Sequence, residues 1–397
     1  MRIERLKITN FKALQNIEMR DIPAFCVVIG ANGTGKSTLF DIFEFLKDCL
    51  TYNVRRALQV RGGFQEVISR NAEENKIEIE IQFRLDIAGT ERLMTYVLCI
   101  AEDESNRIVV ERETLRYERG RYGSPYDALD FSRGVGSAID NEEDFSKADA
   151  ALNREEQELD TPDILAIKGL GQFERFKAAS AFRKLIENWH ISDFHISAAR
   201  GSKDAAGYEE HLSDSGDNLQ LVARNIFENH PDVFQKIIDV IKHRVPGITD
   251  VKTVSTEDGR LLLQFQDGSF KDPFIDRYVS DGTIKMFAYL VLLYDPSPHP
   301  VLCVEEPENQ LYVSLMPELA EEFRSYAIRG GQVFVSTHSP DFLNATLIEE
   351  VFWLRKQDGH TNVVRARDDS QLVALIKEGD QMGYLWKQGF LGGIDPQ

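Results

Sequence analysis

The chain has 397 residues, of which 42% are hydrophobic, and 46 lysines and arginines against 65 aspartates and glutamates give a net charge of −19. This composition allows a large core and excludes global disorder. The negative charge disfavours a protein that coats nucleic acid non-specifically, so any contact with nucleic acid needs a local basic patch.

The cysteines and the hydropathy predict a cytoplasmic protein without a membrane span. The cysteines are Cys26, Cys49, Cys99 and Cys303. None belongs to a C-x-x-C pair, so we interpret them as reduced core residues and not as disulfides or metal ligands. No apolar run approaches the roughly 18 residues that a membrane helix needs. Residues 1–9 alternate like a strand and lack a signal-peptide pattern.

The first strong pattern is a strand, a glycine-rich loop and a helix. Residues 24–29 form a continuous apolar run, which is typical of a buried parallel strand. Residues 38–50 have helical periodicity. Between them, Gly30–Ser37 fits G-x-x-x-x-G-K-[ST], the phosphate-binding loop. The alternative, a glycine turn with an incidental lysine, is disfavoured because both flanks have the expected type.

This loop predicts a site for a nucleotide and Mg²⁺. Its glycines let the backbone wrap around a phosphate, and the helix N-terminus adds positive charge. We expect Lys36 to reach the β- and γ-phosphates and the Ser37 hydroxyl to ligate Mg²⁺. The predicted nucleotide-binding residues here are Gly30, Asn32, Gly33, Thr34, Gly35, Lys36, Ser37 and Thr38.

The middle of the chain predicts an antiparallel lobe and then a helical insertion. Runs at 76–85, 92–101 and 106–117 are separated by turn-rich segments, which indicates an antiparallel meander. Residues 118–165 are loop-like and acidic, and they predict a mobile segment or a short helical excursion. Helices are predicted at 173–189, 217–228 and 231–245, and strands at 190–196, 249–256 and 260–267.

In the last third, an apolar strand at 300–304 ends in two carboxylates. Ligands bind at this end of the strands in an α/β sheet. We predict that Glu305 holds Mg²⁺, directly or through water, and that Glu306 orients the attacking water as general base. A buried strand with acids at its exposed end is the alternative, which the phosphate loop disfavours.

Two further polar segments lie at the ends of predicted elements. His338 follows an apolar strand and is placed to hydrogen-bond a γ-phosphate, although local sequence alone favours a capping residue before Pro340. Ser280 and Gly282 precede an apolar helix at 284–293, where an N-terminus binds anions. Local sequence alone favours an ordinary capped helix start. A second anion site in a chain that already has a phosphate loop predicts contact with a nucleotide held by a partner subunit.

These segments together resemble the ABC-type ATPases of the RecF/SMC/OLD group, and most of all the compact bacterial AAA-family (AAA_15/AAA_21-like) ATPases. The matching segments are Asn10-Phe11-Lys12, Gly30–Ser37, Ser280-Asp281-Gly282, Val301–Asn309 and Ser336–Pro340. The resemblance covers residues 1–117 and about 190–366. It implies an α/β P-loop ATPase head that has a mixed central sheet, an antiparallel β lobe and a helical insertion. It also implies ATP and Mg²⁺, with two ATPs sandwiched between two heads.

The resemblance also implies individual roles. Ser280 and Gly282 become signature residues, Glu306 the base and His338 the switch histidine, with Pro307–Gln310 as the D-loop. Val279 and Asp281 depart from the common Leu-Ser-Gly-Gly, which disfavours a transporter ATPase. The Q-loop glutamine stays open among Gln59, Gln65 and Gln82.

The expected domain division is an N-terminal half of the head at 1–117, the insertion at 118–235 and a C-terminal half at 236–397. The expected function is an ATP-hydrolysing switch that forms a homodimer or higher oligomer around ATP. It would control a DNA-directed process or a partner effector, and family analogy alone suggests antiphage defence. The alternative is a RecF-like repair or recombination clamp with ATP-dependent DNA binding.

No acidic cluster of the Toprim nuclease type follows His338, so a separately encoded effector is expected. It would dock on the insertion or on the apolar segment 384–391, unless that segment packs back on its own head. Two arginine clusters are candidate DNA contacts, with pairing to nearby acids as the alternative. They are Arg55, Arg56, Arg61 and Arg70, and Arg112, Arg116, Arg119 and Arg121.

Overall fold

The computed structural model describes residues 2–87, 89–117, 126–140, 154–357 and 359–392. The strands are β1 (Arg2–Phe11), β2 (Leu14–Arg20), β3 (Phe25–Ile29), β4 (Lys76–Ile87), β5 (Thr90–Glu102), β6 (Ile108–Tyr117), β7 (Tyr126–Ser132), β8 (Val135–Ile139), β9 (Arg154–Glu158), β10 (His190–Ser192), β11 (Lys203–Asp204), β12 (Ile248–Ser255), β13 (Arg260–Asp267), β14 (Phe274–Ile275), β15 (Val301–Glu305), β16 (Gln332–Thr337), β17 (Val351–Gln357) and β18 (His360–Arg365).

The helices are α1 (Lys36–Thr51), α2 (Val54–Val60), α3 (Phe64–Val67), α4 (Ala166–Leu170), α5 (Lys177–Glu187), α6 (Ile196–Ala199), α7 (Leu219–Asn229), α8 (Pro231–Arg244), α9 (Asp281–Leu293), α10 (Met316–Ile328), α11 (Pro340–Asn344), α12 (Ser370–Lys377) and α13 (Met382–Lys387).

A six-stranded mixed sheet forms the centre of the molecule, in the order β10-β15-β16-β3-β17-β18. Neighbouring strands from β10 to β17 are parallel, and β18 is antiparallel to β17. The five residues of β3 are all buried, as expected for a strand covered on both faces. Because β15, β16 and β3 run in the same direction, their carboxyl ends lie along one edge of the sheet.

An eight-stranded antiparallel sheet forms the second layer, in the order β2-β1-β4-β5-β6-β7-β8-β9. In β4, alternate residues are buried, since this sheet packs one face against the core. Helix α5 covers that face, with the rings of Phe182 and Phe83 stacked at 4.5 Å between centroids. The predicted α/β fold with a mixed sheet and an antiparallel lobe is therefore confirmed.

The region predicted as a helical insertion differs from that prediction. Strands β7, β8 and β9 extend the antiparallel lobe where a mobile segment or a helical excursion was expected at 118–165. Strand β9 carries charged residues in almost every position, which suits an edge strand but hides the pattern of strand alternation. Residues 118–125 and 141–153, with Arg119 and Arg121, lie outside the described residues.

Strand β10 also lies within 118–235, yet it pairs with β15 in the central sheet. Helices α7, α8 and α9 pack with a small sheet of β11, β13, β12 and β14 around a second core cluster. The boundary expected at residue 235 falls inside α8, whose buried residues belong to this core cluster.

The C-terminal segment packs back on its own head. Leu385 and Trp386 of α13 are buried, whereas Tyr384 and Phe390 are exposed. A Cβ at Gly383 would lie 2.1 Å from the Pro340 carbonyl oxygen, so only glycine allows this approach of α13 to α11. Among the helices that the structure describes, none has the length and apolar character needed to cross a membrane.

Candidate active site

The phosphate loop joins β3 to α1 and packs closely against the hairpin formed by β17 and β18 at two glycines. A Cβ at Gly30 would lie 2.5 Å from the Leu354 carbonyl oxygen. Gly35 caps α1 with φ near 99°, and a Cβ there would lie 2.7 Å from Thr361 Oγ1. These two positions require glycine, because neither the space nor the backbone angle suits a side chain.

Thr361 on β18 holds the loop in shape. Its hydroxyl donates to the Thr34 carbonyl at 2.8 Å, and its backbone N–H donates to the Ala13 carbonyl at 3.0 Å. The Thr34 hydroxyl in turn donates to the Ala31 carbonyl at 2.8 Å. The loop is therefore preorganised by a strand far along the chain, which the motif alone did not reveal.

Lys36 is buried against the loop that precedes it. Its ammonium group donates to the carbonyls of Gly30 and Ala31, at 2.7 and 3.1 Å. Burial lowers the pKa of Lys36 to about 8, although the carboxylates of Glu306, Glu308 and Glu305 oppose the shift. The cation thus lies at the mouth of the loop, where a phosphate provides a stronger partner than two carbonyls.

Glu305 ends β15 beside the start of α1. Burial raises the pKa of its carboxyl group, and a hydrogen bond from the Ser37 hydroxyl opposes that shift. Ser37, Thr38 and Glu305 line a cavity of about 320 Å³ together with Lys12 and Asp41. Lys12, in the matching segment Asn10-Phe11-Lys12, forms an ion pair with Asp41 at 2.5 Å.

Glu306 is the first residue beyond β15. It is held by contacts with the end of β16 and with the segment Pro307–Gln310. Its carboxylate lies 3.2 Å from His338 Nε2 and accepts a hydrogen bond from the Asn309 amide at 2.9 Å. Its backbone N–H donates to the Ser336 carbonyl at 2.9 Å. Its φ of 43° is unusual for a residue other than glycine and points to a site where geometry is imposed.

His338 follows β16, and the structure places it next to Glu306. Burial lowers the pKa of His338, with Lys36 acting in the same direction and Glu306 against it. A neutral imidazole is suited to forming and releasing a hydrogen bond with a phosphate.

Glu308 has a positioning role that sequence reasoning did not assign. It accepts a hydrogen bond from the Thr337 hydroxyl at 2.9 Å and another from the His338 backbone N–H at 2.5 Å. Burial raises the pKa of Glu308. Glu308 therefore joins the segment Pro307–Gln310 to the end of β16.

Lys285 is a second buried cation that sequence reasoning missed. It lies on α9 and donates to the Asn309 carbonyl at 2.7 Å. Burial lowers its pKa to about 8, and Glu308 opposes the shift. It lines a cavity of about 410 Å³ with Glu305, Glu306 and Asp193. The available signal was a lone lysine within an otherwise apolar helix.

Ser280 and Gly282 lie apart from the phosphate loop and share no cavity with it. Ser280 caps α9 by accepting a hydrogen bond from the Thr283 N–H at 3.3 Å. A Cβ at Gly282 would lie 3.1 Å from the Tyr312 ring. The cavity of about 450 Å³ that Ser280 lines contains no residue of the phosphate loop. Within one chain, the two anion-binding segments are separate.

Arg200 holds the segment that precedes Ser280. Its guanidinium group donates to the carbonyls of Arg277 and Val279, at 2.8 and 2.6 Å, and forms an ion pair with Asp281. Asp281, which departs from the usual signature, thus has a partner within the chain. Sequence reasoning offered no signal for Arg200, since it is distant along the chain.

The three Q-loop candidates and the described arginines of the two clusters do not line the cavities of this site, although Arg61 pairs with Asp41, which does. Gln59, Gln65 and Gln82 do not line the cavities beside Ser37 and Lys285. Most arginines of the two clusters pair with acids, as the alternative interpretation expected. The pairs are Arg55–Asp163, Arg61–Asp41, Arg61–Asp48, Arg70–Glu66, Arg112–Asp130 and Arg116–Asp127.

With this geometry, comparison with known proteins is informative. Residues 25–344 match the family described as "AAA domain, putative AbiEii toxin, Type IV TA system". The chain belongs to this family of AAA-domain ATPases. None of the curated protein sequences matches it significantly.

Solved structures of Smc heads have the same fold. An Smc head bound to the C-terminal winged-helix domain of ScpA aligns with a TM-score of 0.58 and 14% identity, covering 92% of this chain and 98% of that chain. A second, with an extended coiled coil and bound to the C-terminal domain of ScpA from Pyrococcus furiosus, aligns with a TM-score of 0.53 and 14% identity, covering 94% and 99%. This AAA-family chain has the fold of an ABC-type P-loop ATPase head of the SMC/RecF group.

The residues fit the ATP and Mg²⁺ that ATPases of this kind use. A Cβ at Gly30 or Gly35 would collide with Leu354 or Thr361, so glycine at these positions keeps the loop packed against β17 and β18 in its phosphate-binding shape. The Ser37 hydroxyl and the Glu305 carboxylate are hydrogen-bonded neighbours and offer the oxygen donors that Mg²⁺ prefers.

Proposed function

We propose that the chain binds and hydrolyses ATP, and that two copies enclose the nucleotides between them. The observation that carries the proposal is the position of Glu306 between His338 and Asn309, at the sheet edge that Lys36 and Glu305 share. A carboxylate fixed beside a phosphate loop is suited to accept a proton from an attacking water.

Each group has a defined role in this proposal. The backbone N–H groups of Gly33–Ser37 and the ammonium group of Lys36 bind the β- and γ-phosphates. Ser37 and Glu305 hold Mg²⁺, which neutralises charge that develops on the phosphate oxygens. Glu306 orients water and takes its proton, and His338 hydrogen-bonds the γ-phosphate. Glu308 keeps His338 and the D-loop in register.

The partner subunit is proposed to supply Ser280 and Gly282. This assignment rests on the separation of the two anion-binding segments within one chain. Exposed side chains surround Ser280, among them Tyr278, Tyr312 and Val313. Such a surface is suited to an interface, because aromatic residues bury large areas on association. Higher oligomers built from the same dimer are compatible with this arrangement.

The output of the switch is proposed to be a separate effector protein, with antiphage defence in the cytoplasm as the setting. The family description, which names a toxin of a type IV toxin–antitoxin system, supports an effector. The two Smc heads are each bound to a domain of another protein, ScpA, which shows that this fold offers a docking surface. The four cysteines are free and buried, which suits a reducing compartment.

A DNA-directed process, including the RecF-like clamp, receives less support. Most arginines proposed as DNA contacts already pair with acids, and Arg61 is almost fully buried between Asp41 and Asp48. Fluorescence anisotropy with duplex DNA at low salt, with and without ATP, tests this directly. Salt-sensitive binding would restore the DNA proposal, since phosphate contacts release counterions.

The decisive experiment measures mass and turnover together. Purified Glu306→Gln protein with ATP and Mg²⁺ should form a dimer in light scattering, whereas the parent chain should turn ATP over and return to its resting mass. The proposal fails if the parent chain does not release phosphate from ATP, or if the variant stays monomeric while saturated with ATP.

A further inference from the structure

A cluster of three side chains lies at the opposite end of the central sheet from the nucleotide site. Asp295 follows α9, His299 precedes β15, and His211 lies in the loop before α7. His211 Nδ1 is 2.8 Å from Asp295 Oδ2. One ligating atom from each of the three residues lies within 4.8 Å of the others. Neither the phosphate loop nor the signature segment uses any of them.

The hydrogen bonds of His299 determine its tautomer. Its Nδ1 lies 3.1 Å from the Asn188 carbonyl oxygen, and a carbonyl accepts only, so Nδ1 carries the proton. Nε2 therefore has a lone pair, and this atom is buried without a hydrogen-bond partner. The residue is only 9% exposed. An imidazole that donates one N–H to a backbone carbonyl and keeps the other nitrogen free is the usual arrangement of a metal-binding histidine.

Burial acts in the same direction on two neighbouring imidazoles of this region, those of His299 and His190. Burial lowers the pKa of His299, although the Asp295 carboxylate opposes the shift. His190 stacks on His299 with 4.8 Å between ring centroids, and burial lowers its pKa as well. Lys47 acts on both histidines in the same direction as burial.

We propose that His211, Asp295 and His299 bind a divalent transition-metal ion, and that this ion is Zn²⁺. Two imidazoles and one carboxylate are ligands that suit zinc, with water in the fourth position. Bonds of about 2.0–2.2 Å place tetrahedral ligand atoms roughly 3.4 Å apart, so the three ligand atoms, which lie within 4.8 Å of one another, must draw closer around the ion. The His211 side chain is 38% exposed, which leaves an entry path and freedom to close on the ion.

The location gives the ion a structural role. Asp295 lies just beyond the C-terminus of α9, and Ser280 caps the other end of that helix. His299 lies just before β15, which ends at Glu305. An ion bound to both residues ties the helix that presents the signature to the strand that presents the catalytic carboxylates.

The test measures Zn²⁺ bound to the full-length chain after treatment with a chelator. Equilibrium dialysis against Zn²⁺, followed by mass spectrometry of the metal, should find one ion per chain. His211→Gln and Asp295→Asn should weaken binding by more than the roughly 10–100-fold that loss of an outer-sphere partner costs. His243→Asn changes an exposed histidine on α8 and should bind like the parent chain.

Glu305→Gln separates this site from the nucleotide site, and it should leave Zn²⁺ binding unchanged. The proposal is overturned if the parent chain retains no Zn²⁺, if both ligand variants bind it as tightly as the parent, or if Glu305→Gln abolishes binding. Should the ligand variants fail to fold, pulsed electron paramagnetic resonance of the parent chain loaded with Cu²⁺ decides. A spectrum with two coordinated imidazoles supports the site, and a spectrum without a coordinated imidazole overturns it.

Discussion

The phosphate loop and the signature segment are both anion-binding segments at the N-termini of helices, yet the chain holds them differently. The phosphate loop is enclosed, with Thr361 bonded to Thr34 and Lys36 buried against it. The signature segment is held from behind by Arg200, while neighbours such as Tyr278 face solvent. The difference is the one expected under the proposal that the first segment is complete within one chain and that the second acts on the nucleotide of a partner subunit.

The largest expected effect is on ATP hydrolysis, the reaction proposed to take place at the phosphate loop. Glu306→Gln should lower the rate of ATP hydrolysis by about 10²–10⁴-fold, because a general base contributes that factor. ATP binding should persist, since Lys36 and the loop remain. Phosphate release and nucleotide titration measure the two quantities. Glu378→Gln, at an exposed position after α12, is the matched control. Unchanged turnover in Glu306→Gln would remove Glu306 from the mechanism.

The next effect tests whether the signature segment acts on the nucleotide of a partner subunit. Ser280→Arg in the Glu306→Gln background should weaken the ATP-bound dimer by more than about 100-fold, because an unpaired buried charge costs about 3–5 kcal/mol. Each monomer should still bind ATP. Light scattering and nucleotide titration are the readouts, and Ser105→Arg on the turn between β5 and β6 is the control. Loss of ATP binding by the isolated monomer would mean that Ser280 serves its own chain.

A smaller effect, on ATP affinity, is expected from replacing Lys36, the cation of the phosphate loop. Lys36→Ala should weaken ATP binding by roughly 10–150-fold, the equivalent of the 1.5–3 kcal/mol that a hydrogen bond to a charged group contributes. Removing the side chain also frees the carbonyls of Gly30 and Ala31, so circular dichroism should confirm that the fold persists. ATP affinity equal to that of the parent chain would contradict the role of Lys36.

The smallest effect is a dependence on pH. The pKa of Lys36 is lowered to about 8 by burial, so the free protein loses this proton as pH rises through 8. ATP favours the ammonium form, so affinity should fall by up to about tenfold for each pH unit above 8, with proton uptake on binding. Calorimetry in buffers of different ionisation enthalpy measures both. Lys36→Arg keeps its charge and should remove the dependence, and a slope that persists there would assign it to another group, such as Lys285.

The same lowered pKa affects stability. Between pH about 8 and the ordinary lysine pKa of 10.5, the unfolded chain holds a proton on Lys36 that the folded chain has lost. The unfolded state binds more protons in this range, so the contribution of Lys36 to the free energy of unfolding rises with pH there. Its contribution to stability and its contribution to ATP affinity therefore change in opposite directions.

Much of the site could be predicted because the motifs are local. A glycine loop between an apolar strand and a helix, and carboxylates after an apolar strand, have spacings that the backbone geometry itself requires. Strand β9 could not be predicted, since a charged edge strand lacks a clear alternation of apolar residues. The sequence also could not decide whether the segment 384–391 packs on its own head. The burial of Trp386 depends on the surface of α11, which lies elsewhere in the chain.

The sequence alone determined the phosphate loop, the order of the strands that carry Glu306 and His338, and the class of fold. Each depends on residues that are close in the chain and whose pattern reports burial directly. Only the tertiary structure decided that Thr361, Arg200 and Lys285 support the site, and that His211, Asp295 and His299 meet. These contacts join residues far apart in the chain, and their partners are backbone carbonyls or single side chains that leave no periodic pattern in the sequence.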